Sequence, residues 1–441
     1  MMRNLHCFVF EMALFLIGCM QIPSGTSHAQ PHTDPYFRRL LFAHQDSLYR
    51  QVLTHPDTYR LQILYVQIDR DRHNRPHFHT YAYHADPQLY FYPASVVKLP
   101  LACLALEKLN ELHIPGVNKF TRMQFDSAYP WQIPEWADST SETGYPSIAH
   151  FIKKAFLVSD NDAYNRLYQF VGQQAIQQKL HEKGYTSARI IRQFMGLMAE
   201  QNRYTNPVRF LDEQGHLLYT QPALYNPDSV QRGAPVLIGR AYINRDGKLV
   251  PQPMDFSMQN QISLYDLVHM LQALLFPESV PARQRFLLTD DDLHFLYQYL
   301  SQFPRETNYP KYDADVFYDT YVKFFFRDSS HHQLPPGVRV FNKVGWSYGF
   351  LTDVSYVADF EHHIEYMLAA TLYVNSDGVL NDDRYEYEEV GTPFLYQLGQ
   401  VIYRHELHRR RKHLPDLSRF QIQYEHRDEN DMRPAIKQVD N

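Results

Sequence analysis

The chain contains 441 residues, of which 44% are hydrophobic and 21% charged, a balance typical of a globular protein with a sizeable core. Its formal net charge of −6 and isoelectric point near 6.4 give no electrostatic reason to expect nucleic acid as a partner. The length allows either two domains or one large composite domain.

Residues 1–29 have the features of an export signal. Arg3 gives a positive start, residues 8–20 an apolar core, and small residues precede a cleavage position after Ala29. Residues 16–19, "LIGC", also resemble a lipoprotein box, in which Cys19 would carry the lipid. Both alternatives predict an exported protein: periplasmic or secreted, or tethered to the outer membrane. No later run approaches the roughly 20 apolar residues of a membrane span.

The next elements predict a hairpin followed by a buried helix. Residues 61–71 and 77–84 have strand character, and the segment between them has turn chemistry. Residues 95–112 form a helical pattern that is apolar nearly all round in its first half, which indicates a central, buried helix. Pro100 within it predicts a tight first turn or a local kink. Cys103 on this helix is most simply a small buried hydrophobe.

The middle of the chain predicts an all-helical lobe, placed at about residues 113–329. Its residues 193–256 are poorly periodic, and a segment of this length without regular structure is usually functional or an insertion. Helical patterns occupy the remaining parts of the lobe, with Ser263 predicted as an N-cap. They lie at residues 147–160, 161–172, 173–184, 263–275 and about 290–302.

The C-terminal part returns to strands. Residues 339–345, 351–359 and 364–374 fit an antiparallel meander, followed by a helix over 392–408. We therefore predict an α+β fold, an antiparallel sheet built from N- and C-terminal segments with helices inserted between them.

The predicted boundaries follow from this order of elements. One domain is predicted over residues 30–410, with a sheet lobe at about 45–112 and 330–410. A charged tail is predicted at 411–441, and the basic run 408–413 is interpreted as a solvated helix end.

Ser95 and Lys98 are the first candidate catalytic pair. They lie three residues apart, which on a helix places both side chains on one face. A serine hydroxyl needs an adjacent base to become a nucleophile, and a lysine can serve if burial lowers its pKa. The alternative is that Ser95 caps the helix while Lys98 extends into water.

Two later motifs carry further candidates. Ser159, Asp160 and Asn161 lie between two predicted helices, where they fit either a helix cap or a proton relay with a substrate-binding amide. Lys343 and Gly345 lie on a late strand, where a glycine indicates a bulge or close backbone approach. The functional alternative is that Lys343 binds a substrate carboxylate and Gly345 lets the substrate lie along the strand edge.

The order of these three motifs, with their contexts, resembles the serine β-lactamase and penicillin-binding-protein superfamily, and is most similar to its class A branch. The resemblance covers roughly residues 45–405 apart from the middle insertion. It implies a β-lactamase/transpeptidase-like fold and a serine hydrolase that needs no cofactor. The implied substrate is a small-molecule β-lactam or a cell-wall peptide.

The resemblance also implies residue roles. Ser95 would be the acylated nucleophile and Lys98 its base or relay, while Ser159, helped by Lys343, would pass a proton to the leaving nitrogen. Asn161 would bind a substrate amide. The backbone N–H groups of Ser95 and Trp346 would form the oxyanion hole.

Two positions depart from the family pattern. Val344 stands where the family usually has a threonine or serine, so a hydroxyl for a substrate carboxylate is missing. Class A enzymes also need a glutamate, with an asparagine shortly behind it, to activate the deacylating water. Glu200 and Asn202 are the available candidates, with shortened spacing, and Glu200 is equally well an ordinary loop carboxylate. Without such a base an acyl-enzyme would persist, as in penicillin-binding proteins.

Histidines are frequent, but their spacing does not predict a metal site. His77 and His79 share a strand face without a third ligand at a diagnostic spacing, and histidine pairs at 331–332 and 362–363 add none. Three functions therefore remain open: a β-lactamase-like hydrolase, a D-alanyl-D-alanine peptidase or other amide or ester hydrolase, and a non-catalytic binder that keeps the fold.

Overall fold

The computed structural model describes residues 31–228, 235–328, 333–428 and 430–439. The predicted leader, including Cys19, and the histidine pair at 331–332 lie outside these residues. The helices are α1 Pro35–Phe42, α2 Ser47–Thr54, α3 Lys98–Leu112, α4 Ile148–Leu157, α5 Asn161–Val171, α6 Gln173–Glu182, α7 Leu264–Leu275, α8 Asp290–Ser301 and α9 Thr392–His408. The strands are β1 Gln62–Arg70, β2 Pro76–Tyr83, β3 Arg122–Phe125, β4 Val208–Leu211, β5 Leu217–Gln221, β6 Leu237–Ile238, β7 Ala241–Ile243, β8 Leu249–Val250, β9 Met254–Asp255, β10 Val338–Ser347, β11 Phe350–Asp359, β12 Ile364–Tyr373 and β13 Val379–Leu380.

The main sheet joins the two ends of the chain, as predicted. Its strand order is β10-β11-β12-β1-β2, and every pairing in it is antiparallel. The N-terminal hairpin therefore meets the C-terminal meander through β1 and β12. This arrangement confirms the predicted α+β fold with a sheet that is discontinuous in sequence.

Both faces of the sheet are covered by packed side chains. Along β1, Leu64, Val66 and Ile68 join the core shared with the helical lobe, while Ile63 and Tyr65 join the core beneath α1, α2 and α9. This alternation is the two-residue period of a strand. Strands β11 and β12 are buried along nearly their whole length; β12 is almost continuously apolar, whereas β11 also carries buried polar residues such as Thr352, Asp353 and Ser355.

The helices α4 to α8 fall within residues 113–329, where an all-helical lobe was predicted, but this region is not all helical. Strands β3, β4 and β5 form a small antiparallel sheet within it, and the segment 193–256 also contributes the short strands β6 to β9. These strands contain two to five residues, so each shows too few alternations for a strand pattern to emerge from the sequence. The helix α7 begins after Ser263, whose side chain accepts from the Asp266 N–H as predicted.

The C-terminal segment is bound to the domain rather than solvated. The run 408–413 is only partly a solvated helix end: His408, Arg410 and Lys412 are exposed, whereas Arg409 and Arg411 both pair with the buried Glu406. Phe420 is buried among aromatic rings that include Tyr356 and Phe341. These residues follow a basic run, which concealed their role in the core. Within the described residues, no helix is both long and apolar enough to cross a membrane.

Gly399 on α9 provides a stability test. A methyl group at this position would collide with the backbone carbonyl and Cβ of Phe325. Alanine normally stabilises a helix interior relative to glycine, but here we expect Gly399→Ala to lower the free energy of unfolding by about 1–3 kcal/mol through overpacking. Urea denaturation measures the change. Gln397→Ala on the same helix is the control, and a Gly399→Ala protein as stable as wild type would contradict the described packing.

Candidate active site

Ser95 lies in a strained turn at the start of the buried helix. Residues Ala94–Val97 form a 3-10 turn, and α3 continues directly from Lys98. Ala94 adopts a positive φ of 44°, a costly backbone conformation for a residue with a Cβ. Such strain persists where the surrounding structure enforces it, and it is concentrated at functional sites. The turn leaves Ser95 partly exposed to the cleft while its neighbours are buried. It also confirms the tight first turn that Pro100 predicted.

Lys98 is completely buried, so it does not extend into water. Its Nζ lies 2.8 Å from Ser95 Oγ and 2.8 Å from Asn161 Oδ1, and it also donates to the Ser159 carbonyl. The Phe194 ring covers it, with the ring centroid 5.3 Å from Nζ. Burial lowers the pKa of Lys98 to about 7, partly offset by the negative charge of Asp160.

These contacts allow a neutral Lys98 to act as a base. A neutral amine has two N–H groups and one lone pair. If the N–H groups donate to the Ser159 carbonyl and to Asn161 Oδ1, the lone pair faces Ser95 Oγ and can accept the hydroxyl proton. A pKa near 7 makes this form abundant at neutral pH, where a base is most effective.

The Ser159 hydroxyl lies between two buried lysines. Its Oγ is 2.9 Å from Lys343 Nζ and 3.3 Å from Lys98 Nζ. Ser159 itself has a positive φ of 66°, and Asp160 next to it caps α5 by accepting from the Ala163 N–H. Burial and the nearby Lys98 amine hold the pKa of Lys343 well below its usual range. The hydroxyl can therefore pass a proton between the two amines or towards the cleft.

Gly345 allows the edge strand β10 to approach the nucleophile turn. A Cβ at this position would lie 2.8 Å from the Ser95 backbone nitrogen and 2.9 Å from that of Val96. Of the two alternatives predicted from the sequence, Gly345 fits the close backbone approach. A side chain at this position would face the nucleophile turn and not a substrate.

Trp346 is the next residue of β10, and it lies on the cavity wall. A two-residue turn, Tyr348-Gly349 with positive φ at both residues, joins β10 to β11. Ser347 and Phe350 flank this turn as a hydrogen-bonded pair, so Trp346 occupies the next, non-hydrogen-bonded position. Its N–H consequently points away from β11, towards the cleft beside Ser95.

Val344 does not occupy the position expected for a substrate contact. Its side chain is fully buried in the core beneath α9, and it is not part of the cavity wall. The missing hydroxyl therefore removes no group from the described cavity.

A buried polar cluster behind β10 was not predicted from the sequence. Lys323 Nζ donates to Asn342 Oδ1 at 2.6 Å, and Asn342 Nδ2 donates to Asp353 Oδ1 at 2.9 Å. Burial raises the pKa of Asp353 to about 6 and lowers that of Lys323 to about 7. The cluster fixes β10 at the residue before Lys343. An asparagine within an apolar strand was the available signal.

Glu200 is not positioned to activate water at Ser95. Its side chain is 59% exposed, pairs with Arg203, and does not line the cavity. Asn202, by contrast, is buried and accepts from the Gln193 N–H at 2.7 Å. Asn202 thus holds the loop in place, whereas Glu200 points outward because the chain turns in a short 3-10 helix directly after it.

Phe194 occupies the loop position that faces Lys98. The Asn165 side chain accepts from the Phe194 N–H at 2.7 Å, and the Phe194 ring stacks on Tyr164 at a centroid distance of 4.3 Å. These contacts fix an apolar ring over Lys98 on the cavity wall. The sequence concealed this arrangement because Asn165 and Phe194 are 29 residues apart.

The site opens into a cavity of about 870 Å³. Besides the nucleophile turn and the loop of Ser159 and Asn161, its wall includes residues from the loop 192–196, the inserted segment 242–245, the end of β10 at 346–348, and the segment 381–387. In the described part of the chain, no group of three or more histidine, cysteine or acidic side chains is arranged to hold a metal ion.

One family model matches a part of the chain that contains most of this site. Residues 78–229 match the model of the beta-lactamase enzyme family. The predicted resemblance is confirmed over these residues, which include Ser95, Lys98, Ser159 and Asn161, whereas Lys343 lies beyond the match. No curated protein sequence matches the chain.

Solved β-lactamase structures are also similar to the chain. The β-lactamase from Burkholderia ambifaria is 16% identical, with 81% of this chain and 99% of that one covered at a TM-score of 0.44. The β-lactamase from Chitinophaga pinensis is 12% identical, with 82% and 99% covered at a TM-score of 0.45.

The pKa of Lys98 predicts how Ser95 reactivity depends on pH. Only the neutral amine can accept the Ser95 proton, so the rate of labelling by a fluorophosphonate should rise with pH through about 7 and level off above it. Lys98→Met should abolish this rise. Lys108→Met, which removes a partly buried lysine outside the site, should keep the midpoint. A midpoint that stays near 7 in Lys98→Met would contradict the assignment.

The close approach of β10 to the nucleophile turn predicts that position 345 tolerates no side chain. Gly345→Ala should lower Ser95 labelling by about 100-fold or more, because the added methyl group must displace β10 or the nucleophile turn. Gly196→Ala is the matched control, since a Cβ there meets nothing within 4 Å and Gly196 lines the same cavity. Equal labelling of both variants would show that the close approach is unimportant.

Proposed function

We propose that this protein is a serine β-lactamase-like hydrolase that forms an acyl-enzyme on Ser95 by opening a β-lactam or a similar amide. The observation that carries the proposal is the placement of the buried Lys98 amine between Ser95 Oγ, the Ser159 carbonyl and Asn161 Oδ1. The match of residues 78–229 to the beta-lactamase enzyme family supports the reaction class.

Acylation begins when Lys98 takes the Ser95 hydroxyl proton as Oγ attacks the substrate carbonyl carbon. The backbone N–H groups of Ser95 and Trp346 stabilise the negative charge on the carbonyl oxygen, a contribution of about 3 kcal/mol per donor in other hydrolases. The proton then passes through the Ser159 hydroxyl to the leaving nitrogen as the C–N bond breaks. Lys343 holds that hydroxyl in place, and Asn161 is available to a substrate amide.

Deacylation requires a base that activates water on the ester of Ser95. The apolar Phe194 ring, and not a carboxylate, lies over Lys98 on the cavity wall, and Glu200 is directed to solvent. An acyl-enzyme on Ser95 should therefore persist. This observation favours a second candidate function, a D-alanyl-D-alanine peptidase or penicillin-binding protein that transfers or releases its acyl group slowly. We also propose that the protein acts outside the cytoplasm, because its first 29 residues resemble an export signal.

A fluorescent penicillin tests both the acylation and the persistence of the adduct. Wild-type protein should give a covalent adduct on Ser95 that remains for minutes or longer, and Ser95→Ala should give none. Intact-protein mass spectrometry after removal of free penicillin measures the decay. A wild-type protein labelled by neither penicillin nor fluorophosphonate would instead support a non-catalytic binder.

Phe194→Glu should accelerate decay of the adduct about 10-fold or more, because it places a general base near the ester. Phe194→Gln is the control that removes the ring without adding a base, and Glu200→Gln should decay at the wild-type rate. A much slower decay of the adduct in Glu200→Gln than in wild type would restore that residue to the mechanism and overturn the role given to Phe194.

A further inference from the structure

Two arginines lie side by side in the wall of the catalytic cavity. Arg192 belongs to the loop that carries Phe194, and Arg245 belongs to the inserted segment. Both donate to the same backbone oxygen, that of Leu197, at 2.8 Å and 3.4 Å. Their bonded nitrogens therefore lie within about 6 Å of each other, close enough for two like charges to repel noticeably.

Neither guanidinium is neutralised by a carboxylate. Among the described residues, no aspartate or glutamate oxygen lies within 4 Å of Arg192 or Arg245. Asp383 lines the same cavity and is exposed, but it is not within ion-pair distance of either arginine. Arg245 instead contacts the sulfur of Met198. Two adjacent cations that share one carbonyl leave most of their N–H donors available to a ligand.

Tyr348 adds a hydroxyl to this corner of the cavity. It lies at the tip of the β10–β11 turn, and its ring is held edge-on by Tyr92 and Phe256 at centroid distances of 5.1 Å and 5.2 Å. Burial raises the pKa of Tyr348, whereas the charges of Arg192 and Arg245 lower it, so both guanidinium groups act on the phenol.

The inserted segment is held at the cavity by backbone pairing. Strand β7 pairs with β13 on one side and β8 on the other, and Asn381 Nδ2 donates to the Ile243 carbonyl at 3.0 Å. Arg245 follows β7 by two residues. Its position in the cavity wall is therefore determined by the fold and not only by its own flexible side chain.

We propose that Arg192, Arg245 and Tyr348 form a carboxylate subsite that recognises the acyl portion of the substrate. Guanidinium groups match the geometry of a carboxylate and bind it with paired hydrogen bonds. Tyr348 directly follows β10, the strand that contacts the nucleophile turn at Gly345, and all three subsite residues line the same cavity as Ser95. The favoured substrate is thus an amide whose acyl group ends in a carboxylate. This inference rests on the proposed function and extends it to substrate choice.

The subsite can be tested without any acyl transfer. The Ser95→Ala protein is titrated with adipate monoamide, which carries one carboxylate, and with adipamide, its neutral counterpart. The side-chain N–H signals of Arg192 and Arg245 are followed by NMR and assigned with Arg192→Gln and Arg245→Gln. We expect saturable shifts with the monoamide and none with adipamide. Arg245→Gln should weaken binding about 5-fold or more.

Lys248→Gln is the matched control, because Lys248 is exposed on the same β7–β8 hairpin and does not line the cavity. It removes the same charge and should change binding less than two-fold. Equal losses in Lys248→Gln and Arg245→Gln would show a general charge effect and overturn the subsite. Absence of any shift with the monoamide would also overturn it.

Acylation rates separate this inference from the proposed function. Two penicillins that differ only at the end of an adipoyl side chain, carboxylate or primary amide, are compared on wild-type protein. The carboxylate form should acylate Ser95 about 10-fold faster at low salt, and Arg245→Gln should remove this preference. Acylation at equal rates would sustain the hydrolase and reject the subsite. Shifts with adipate monoamide but no acylation would sustain the subsite and reject the hydrolase.

Discussion

An amine withdrawn from water loses its proton more readily, and the catalytic arrangement depends on this effect at Lys98. Complete burial lowers its pKa to about 7, so the side chain can accept a proton near neutrality. The strained turn at Ala94, the Phe194 ring and the helix α3 all contribute to this exclusion of water. A more exposed Lys98 would remain a cation and could only donate to Ser95.

Two further buried lysines lie on or beside β10. Besides its burial, the charges of Lys98 and Lys323 both lower the pKa of Lys343. Lys343 shares the Ser159 hydroxyl with Lys98, while Lys323 lies in the polar cluster behind β10. Asp353 provides the negative charge that partly compensates them. Several buried cations in such proximity would be costly, so the network favours neutral amines. The cluster around Asp353 therefore connects the stability of β10 to the protonation of the site.

The elements around the nucleophile could be predicted because their sequences carry strong local signals. The hairpin alternates, the helix after Ser95 is apolar, and α9 covers the predicted residues Thr392–His408. The convergence of Ser95, Lys98, Ser159 and Lys343 followed from the family resemblance rather than from any spacing in the chain. Their side chains come from a turn, the start of α3, an interhelical loop and an edge strand.

The other features depend on contacts between distant parts of the sequence. Glu200 was selected by its approximate distance along the chain, but the loop is anchored by Asn165 and Asn202, which place Phe194 at the site. Pairing between β7 and β13 joins segments about 140 residues apart, and no local sequence pattern predicts this pairing. The burial of Phe420 in the core was likewise not predicted, because a basic run precedes it in the sequence.

The proposed acylation by Ser95 depends most directly on the charge of Lys98, and this charge can be measured. NMR titration of the lysine side chains, with Lys98→Met used to assign the signal, gives its pKa in the free protein. The structure predicts a midpoint about 7, far below the value of about 10.4 for a lysine in water. A midpoint near 10 would contradict the account, because Lys98 would then be a cation at neutral pH and could not activate Ser95.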